Sequence, residues 1–160
     1  MNASDVMRAS VASIQPAAPL VDAVQLLLET NQRALPVVDG DGQLVGIISE
    51  GDFLHRVELG SNFPGRTRLT SLFRPNNQKA IRERMRALRV EQVMTRKPAF
   101  VDEEASLDEV VAQMDARRVS QLPVVCGGVV IGMISRRELL SVVERSLRKA
   151  RDSEEDVSAA

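Results

Sequence analysis

Ser49, Asp52 and His55 follow one another at intervals of three and are the residue types of a hydrolytic triad. Such chemistry needs a nucleophile, a base and an orienting carboxylate supplied by independent elements. Here two of the three follow Ser49 along one short helical stretch, so the pattern argues against catalysis. A hydroxyl and a carboxylate three apart can instead serve a ligand at a helix start. Backbone N–H groups and the helix dipole favour phosphate there, and a carboxylate accepts from two vicinal hydroxyls. The same spacing is also a helix cap, with Ser at N-cap and an acid at N3. Ser135 and Glu138 repeat the pair, and in both copies capping and binding are compatible readings. A single cysteine, Cys126, excludes an intrachain disulfide, and one Cys with one His is too few for a zinc cluster. Beside a Gly-Gly turn, Cys126 reads as a small hydrophobe rather than a reactive thiol.

The elements that carry these pairs are duplicated. Asp5-Val6-Met7 recurs as Gln92-Val93-Met94, and Leu35-Pro36-Val37-Val38 recurs unchanged as Leu122-Pro123-Val124-Val125, both 87 positions on. Gly46-Ile47-Ile48-Ser49 returns as Gly132-Met133-Ile134-Ser135 at an offset of 86, because the turn at Cys126-Gly127-Gly128 is one residue shorter than Asp39-Gly40-Asp41-Gly42. Each copy begins with a short extended piece, 10–15 and 99–102. A helix follows from near Leu20 or Leu107. Ser106-Leu107-Asp108-Glu109 is a capping box, Pro19 suits a first helical position, and Leu20, Ala23, Val24, Leu27 and Leu28 form an apolar stripe. Two β-branched runs joined by a Gly-rich turn then predict a hairpin, and a second helix starts at Glu50 or Arg136. The order is β-α-β-β-α twice. Strands without polar alternation imply burial on both faces, so the two halves are expected to pack as a pseudo-twofold pair of α/β (α+β) class. Met7 and Met94 read as core or interface fillers.

The 160-residue chain is 44% hydrophobic and carries a net charge of −1, which argues for no particular partner. That balance hides a basic stretch, nine Arg or Lys against three Glu between Arg56 and Glu91. Residues 60–77 read as an exposed connection, after which Asn77 caps a basic helix with Ile81, Met85 and Leu88 on one face. Arg82, Arg84, Arg86 and Arg89 are a solvated helix face, a phosphate clamp or a partner surface. No Trp or Tyr is present to stack bases, which argues against nucleic acid. No apolar run suits a signal peptide or a membrane helix, so a cytoplasmic protein is expected. The acidic end, 148–160, reads as a disordered tail.

Together the repeated Val-Met, the Leu-Pro-Val-Val strand and the Gly-x-x-Ser-x-x-acidic run resemble the cystathionine-β-synthase (CBS) domain pair, or Bateman module. The resemblance covers 3–58 and 90–147, leaving 59–89 as a basic linker. It implies a regulatory module without catalysis that needs no cofactor, binds an adenine nucleotide (AMP, ADP or ATP) and signals to an unknown protein target as a homodimer. S-adenosylmethionine, NAD-type molecules and cyclic dinucleotides also fill this family's clefts. It further implies that Gly46, Ser49 and Asp52 carry nucleotide contacts, with Ser49 near phosphate and Asp52 on the ribose, while adenine sits on Ile14, Val37 and Ile48 around Pro36. Arg33, upstream of the Leu-Pro, is the matching phosphate-facing base. In the second copy Ser135 and Glu138 stand at the matching positions, with Glu where the family shows Asp. Arg136 and Arg137 replace Glu50 and Gly51, so two unequal sites are expected. The alternative is a dimerisation scaffold for protein or nucleic acid with degenerate sites.

Overall fold

The computed structural model describes residues 1–55, 79, 82, 83 and 85–158. Its elements are α1 (Ala3–Val6), α2 (Leu20–Thr30), β1 (Ala34–Val38), β2 (Leu44–Ser49), α3 (Glu50–His55), β3 (Thr95–Arg96), β4 (Val101–Asp102), α4 (Leu107–Arg117), β5 (Gln121–Cys126), β6 (Val129–Ser135) and α5 (Arg136–Ser158). A 3-10 turn covers Val90–Gln92. The expected connection at 60–77, the cap at Asn77, and Ile81 and Arg84 lie outside the described residues. Met85 and Leu88 are partly buried against the core.

Two compact units form, and they do not coincide with the sequence repeats. Unit I is Val11–Pro98, and unit II is Met1–Ser10 together with Ala99–Ala160. Each repeat's Val-Met segment has therefore joined the other repeat's unit. In unit I the sheet order is β1-β2-β3, with Gly46 opposite Arg96 and Ile47 opposite Thr95. In unit II the order is β4-β5-β6, and Arg8 exchanges both backbone hydrogen bonds with Met133 on β6, at 2.9 and 3.1 Å.

Both predicted hairpins are present and antiparallel, pairing Leu35 with Ile48 and Leu122 with Ile134. Each central proline removes a ladder donor, and both sheets accommodate it in the same way, because the parallel neighbour begins pairing one residue later, Ile14 at Val37 and β4 at Val124. The short extended pieces pair in parallel, Ile14 with Val37 as an isolated bridge and Val101 with Val124 in β4.

Helix α2 starts one residue after Pro19, which takes the N-cap with φ −60°, and stops at Asn31 in the left-handed region with φ 54°. Leu20, Ala23 and Leu27 bury toward the sheet, but Leu28, expected on the same stripe, is 77% exposed. It lies one position past Leu27, about 100° round the helix. Helix α4 has the predicted Ser106–Glu109 capping box, in which the Ser106 backbone N–H and hydroxyl hold the Glu109 carboxyl below its usual range. Helix α5 continues to Ser158, so the acidic end is helical where the composition predicted disorder. No Gly or Pro interrupts it, and Glu144 pairs with Arg148 one turn on, at 2.6 Å.

Candidate functional site

The strand-to-helix junctions hold the Ser-x-x-acid pairs. In unit I the Asp52 carboxylate turns back to accept from the Ser49 backbone N–H at 2.8 Å and from the Ser49 hydroxyl at 3.0 Å. In unit II Glu138 accepts from the Ser135 backbone N–H at 2.8 Å and from the Ser135 hydroxyl. The Arg137 N–H donates to Ser135 Oγ at 3.2 Å. The extra methylene of Glu138 is absorbed without changing the pattern. Both acids act as caps, so geometry alone does not distinguish the copies.

The basic residues do distinguish them. Arg33, just before β1, donates from Nε to Glu50 Oε1 at 2.9 Å, and its Nη2 lies at the same distance. The Glu50 N–H donates to the Arg33 carbonyl at 3.0 Å, so both ends of this contact are fixed. In unit II the Arg136 N–H donates to the Ser120 carbonyl at 3.1 Å, the same backbone link, but the side-chain pair is gone. The Arg136 guanidinium lies 3.7 Å from Asp115 on α4 instead, and lines the groove between α4 and α5. A charge expected near phosphate in unit I is thus already met by a carboxylate. Of the two arginines expected near phosphate in unit II, Arg136 faces the helical groove.

The aliphatic residues expected under adenine are core residues. Ile14, Val37 and Ile48 belong to one buried cluster with Leu20, Leu27, Leu35 and Met94, and Pro36 is fully buried beside them. The chain's own packing uses their surfaces, because β1 is covered on both faces. Gly46 is buried too. A Cβ there would meet Met94 Sδ at 2.5 Å and the Thr95 carbonyl at 3.0 Å, so close packing of β3 accounts for the glycine.

Two contacts near this site carry no signal in the sequence. Gln32, a buried polar side chain, accepts from the Ala12 N–H at 2.6 Å and donates to the carbonyls of Ala12 and Ala34, each at 3.1 Å. It ties the extended piece that carries Ile14 to the start of β1. Glu50 is the other, visible only once the hairpin brings it beside Arg33. Cys126 is exposed, not buried as its strand suggested. A hydrogen bond to Glu103 and the charge of that carboxylate push its thiol up, so it is still a poor nucleophile. Among the described residues no group of three His, Cys, Asp or Glu could hold a metal ion, and no helix is long and apolar enough to cross a membrane.

Comparison with known proteins places these features in a family. The model of the CBS domain matches residues 3–59 and 90–145. A CBS domain-containing protein of Dictyostelium discoideum is 30% identical over 126 residues, covering 78% of this chain and 79% of its own. The crystal structure of the CBS domain of a CBS domain-containing membrane protein from Sphaerobacter thermophilus superposes with a TM-score of 0.72 at 29% identity, covering 88% of this chain and 86% of that one. CBSX2 from Arabidopsis thaliana, solved in complex with AMP, has the same fold, with a TM-score of 0.69 at 24% identity over 90% of this chain and 97% of that one.

Proposed function

The chain belongs to the CBS domain family, and from that premise we propose that it is a regulatory module that binds an adenine nucleotide (AMP, ADP or ATP) without catalysing a reaction. The AMP complex of CBSX2, which shares the fold, supports the ligand class. The observation that carries the reading is the Ser49–Asp52 pair at the end of β2, with Arg33 and Glu50 beside it. In this reading the Ser49 hydroxyl donates to a phosphate and the Asp52 carboxylate accepts from ribose hydroxyls. Arg33 then exchanges Glu50 for phosphate when the nucleotide enters. The signal passes to a protein target through a homodimer in the cytoplasm. Binding shifts the module only if the nucleotide prefers one arrangement of it.

A nucleotide at a hundred times its dissociation constant stabilises the native state by about 2.7 kcal/mol, which a thermal melt detects. A flat response to millimolar AMP, ADP, ATP and S-adenosylmethionine would sink the reading. One observation favours a second reading, a dimerisation scaffold with degenerate sites. Both Ser-acid pairs already serve as caps, and the aliphatic residues meant for adenine are buried. A scaffold for nucleic acid would show an affinity that falls steeply with salt.

A further inference from the structure

Gln32 is the one buried polar side chain among the described residues, 7% exposed, and both ends of its carboxamide are engaged. The Ala12 N–H donates to its Oε1 at 2.6 Å, and its Nε2 donates to the carbonyls of Ala12 and Ala34, each at 3.1 Å. Its acceptor and its donor therefore meet the donor and the acceptor of a single residue, Ala12. Adenine carries the same pair on one edge, an acceptor ring nitrogen beside its exocyclic amino donor.

The matching segment of the second repeat forms without such a clamp. Ala99 and Val119 hold the corresponding positions. Val119 has no polar side-chain atom, and among the described residues the Ala99 N–H and C=O meet no hydrogen-bond partner. Yet the piece that follows Ala99 is the better-formed strand, pairing at Val101 and Asp102, where Ile14 makes one isolated bridge. Gln32 also adjoins the site. It precedes Arg33, whose guanidinium is met by Glu50, the residue after Ser49. A carboxylate thus fills the place proposed for phosphate, and the next side chain presents the hydrogen-bonding edge of a base.

We propose that the Gln32 carboxamide stands in for the adenine edge, and that a bound nucleotide displaces it to pair with the Ala12 N–H and C=O. The inference rests on the nucleotide reading above and names the atoms that select the base. Glu50 and Gln32 are then two internal substitutes, one for each end of the ligand. The Ala12 donor and acceptor stay paired through the exchange, and the released carboxamide turns to solvent.

Heteronuclear NMR on the full chain tests it. AMP is expected to shift the Ala12 backbone amide and the Gln32 side-chain amide together, and ribose phosphate, which lacks the base, to shift neither. Gln32→Val copies the second repeat at this position and removes the competitor. It is expected to raise AMP affinity by about five- to tenfold and to leave that for ribose phosphate unchanged. A wild type that binds no AMP, ADP or ATP removes the nucleotide reading and this inference with it. AMP binding that leaves the Ala12 and Gln32 resonances unmoved keeps the nucleotide reading and removes the inference, and a shift at Ala99 instead places the base in the second repeat. A Gln32→Val chain that binds AMP no more tightly than wild type, or that gains equally for ribose phosphate, overturns the stand-in as well. Should that variant fail to fold, the wild-type shifts with the two ligands decide alone.

Discussion

Gly132 lies directly beneath Met7. A Cβ placed on Gly132 would sit 2.6 Å from Met7 Sδ and 2.8 Å from the Arg8 carbonyl, and Gly46 stands in the same relation to Met94 and Thr95. Each methionine thus covers the glycine of the other repeat, and neither repeat closes its sheet without the other's N-terminal segment. This exchange gives the glycine of the Gly-x-x-Ser run a structural purpose that requires no ligand.

Gly132→Ala is therefore expected to destabilise the protein by about 1–3 kcal/mol, as overpacking of a closed core does. Met7→Ala does not rescue it, because the Arg8 carbonyl that the new Cβ meets belongs to the backbone. At Gly46→Ala a methionine sulfur is likewise the tightest contact, but the Thr95 carbonyl lies at 3.0 Å against 2.8 Å for Arg8, so Met94→Ala in the same chain recovers part of the loss. Urea denaturation of the single and double variants checks this through the sign of the coupling. Equal rescue at both sites would contradict the distances.

Gln32 supplies both a donor and an acceptor to the Ala12 backbone, doing with a side chain what a strand neighbour would do. Gln32→Leu strands those buried groups and is expected to cost about 1–3 kcal/mol. Val119 stands at the matching position of the second repeat and is apolar, so Val119→Ala removes packing alone. Amide exchange at Ala12 and Ile14 separates the two. It accelerates in Gln32→Leu and stays unchanged in Val119→Ala.

Much of this architecture was legible in the sequence because it depends on local spacing. The hairpins followed from two apolar runs around Gly-rich turns, and the α4 cap from Ser106 and Glu109. The exchange of Val-Met segments was not legible, since a repeat shows which residues correspond and says nothing of which copy they pack against. Arg33 illustrates the same limit at the site. Its position suggested a phosphate contact, but its nearest charge is Glu50, seventeen residues on and brought close only by the hairpin. Leu28 and the acidic end failed for local reasons. A stripe was read one residue too wide, and an acidic composition was weighed above the absence of any helix breaker.

The Arg33–Glu50 pair is exposed on both sides, 74% and 53%, so it contributes little to stability. Glu50→Gln is expected to leave urea stability within about 0.5 kcal/mol of wild type. If nucleotide phosphate must displace Glu50 from Arg33, the same substitution strengthens ATP binding severalfold and adenosine binding not at all. Calorimetric titration with both ligands checks it, and an equal gain for adenosine would remove Arg33 from the phosphate.

Asp52 and Glu138 make the same cap, each carboxylate accepting from the N–H and the hydroxyl of the serine three residues before it. Asp52→Ala and Glu138→Ala are therefore expected to lose similar stability, about 1 kcal/mol each. Binding separates them. If Asp52 accepts from the ribose, as the proposed function has it, losing that charge-assisted hydrogen bond costs about 1.5–3 kcal/mol, or roughly ten- to a hundredfold in affinity. Glu138→Ala should leave that affinity nearly unchanged. Melting temperatures without ligand, read alongside calorimetric titrations with AMP and ATP, give four numbers that place each acid. Two equal melting shifts with a binding loss only at Asp52 support a site in the first repeat. A binding loss only at Glu138 moves the principal site to the second repeat and makes Arg137, whose N–H already donates to Ser135, its phosphate anchor. Equal melting shifts with no binding loss at either acid leave two caps and favour the scaffold.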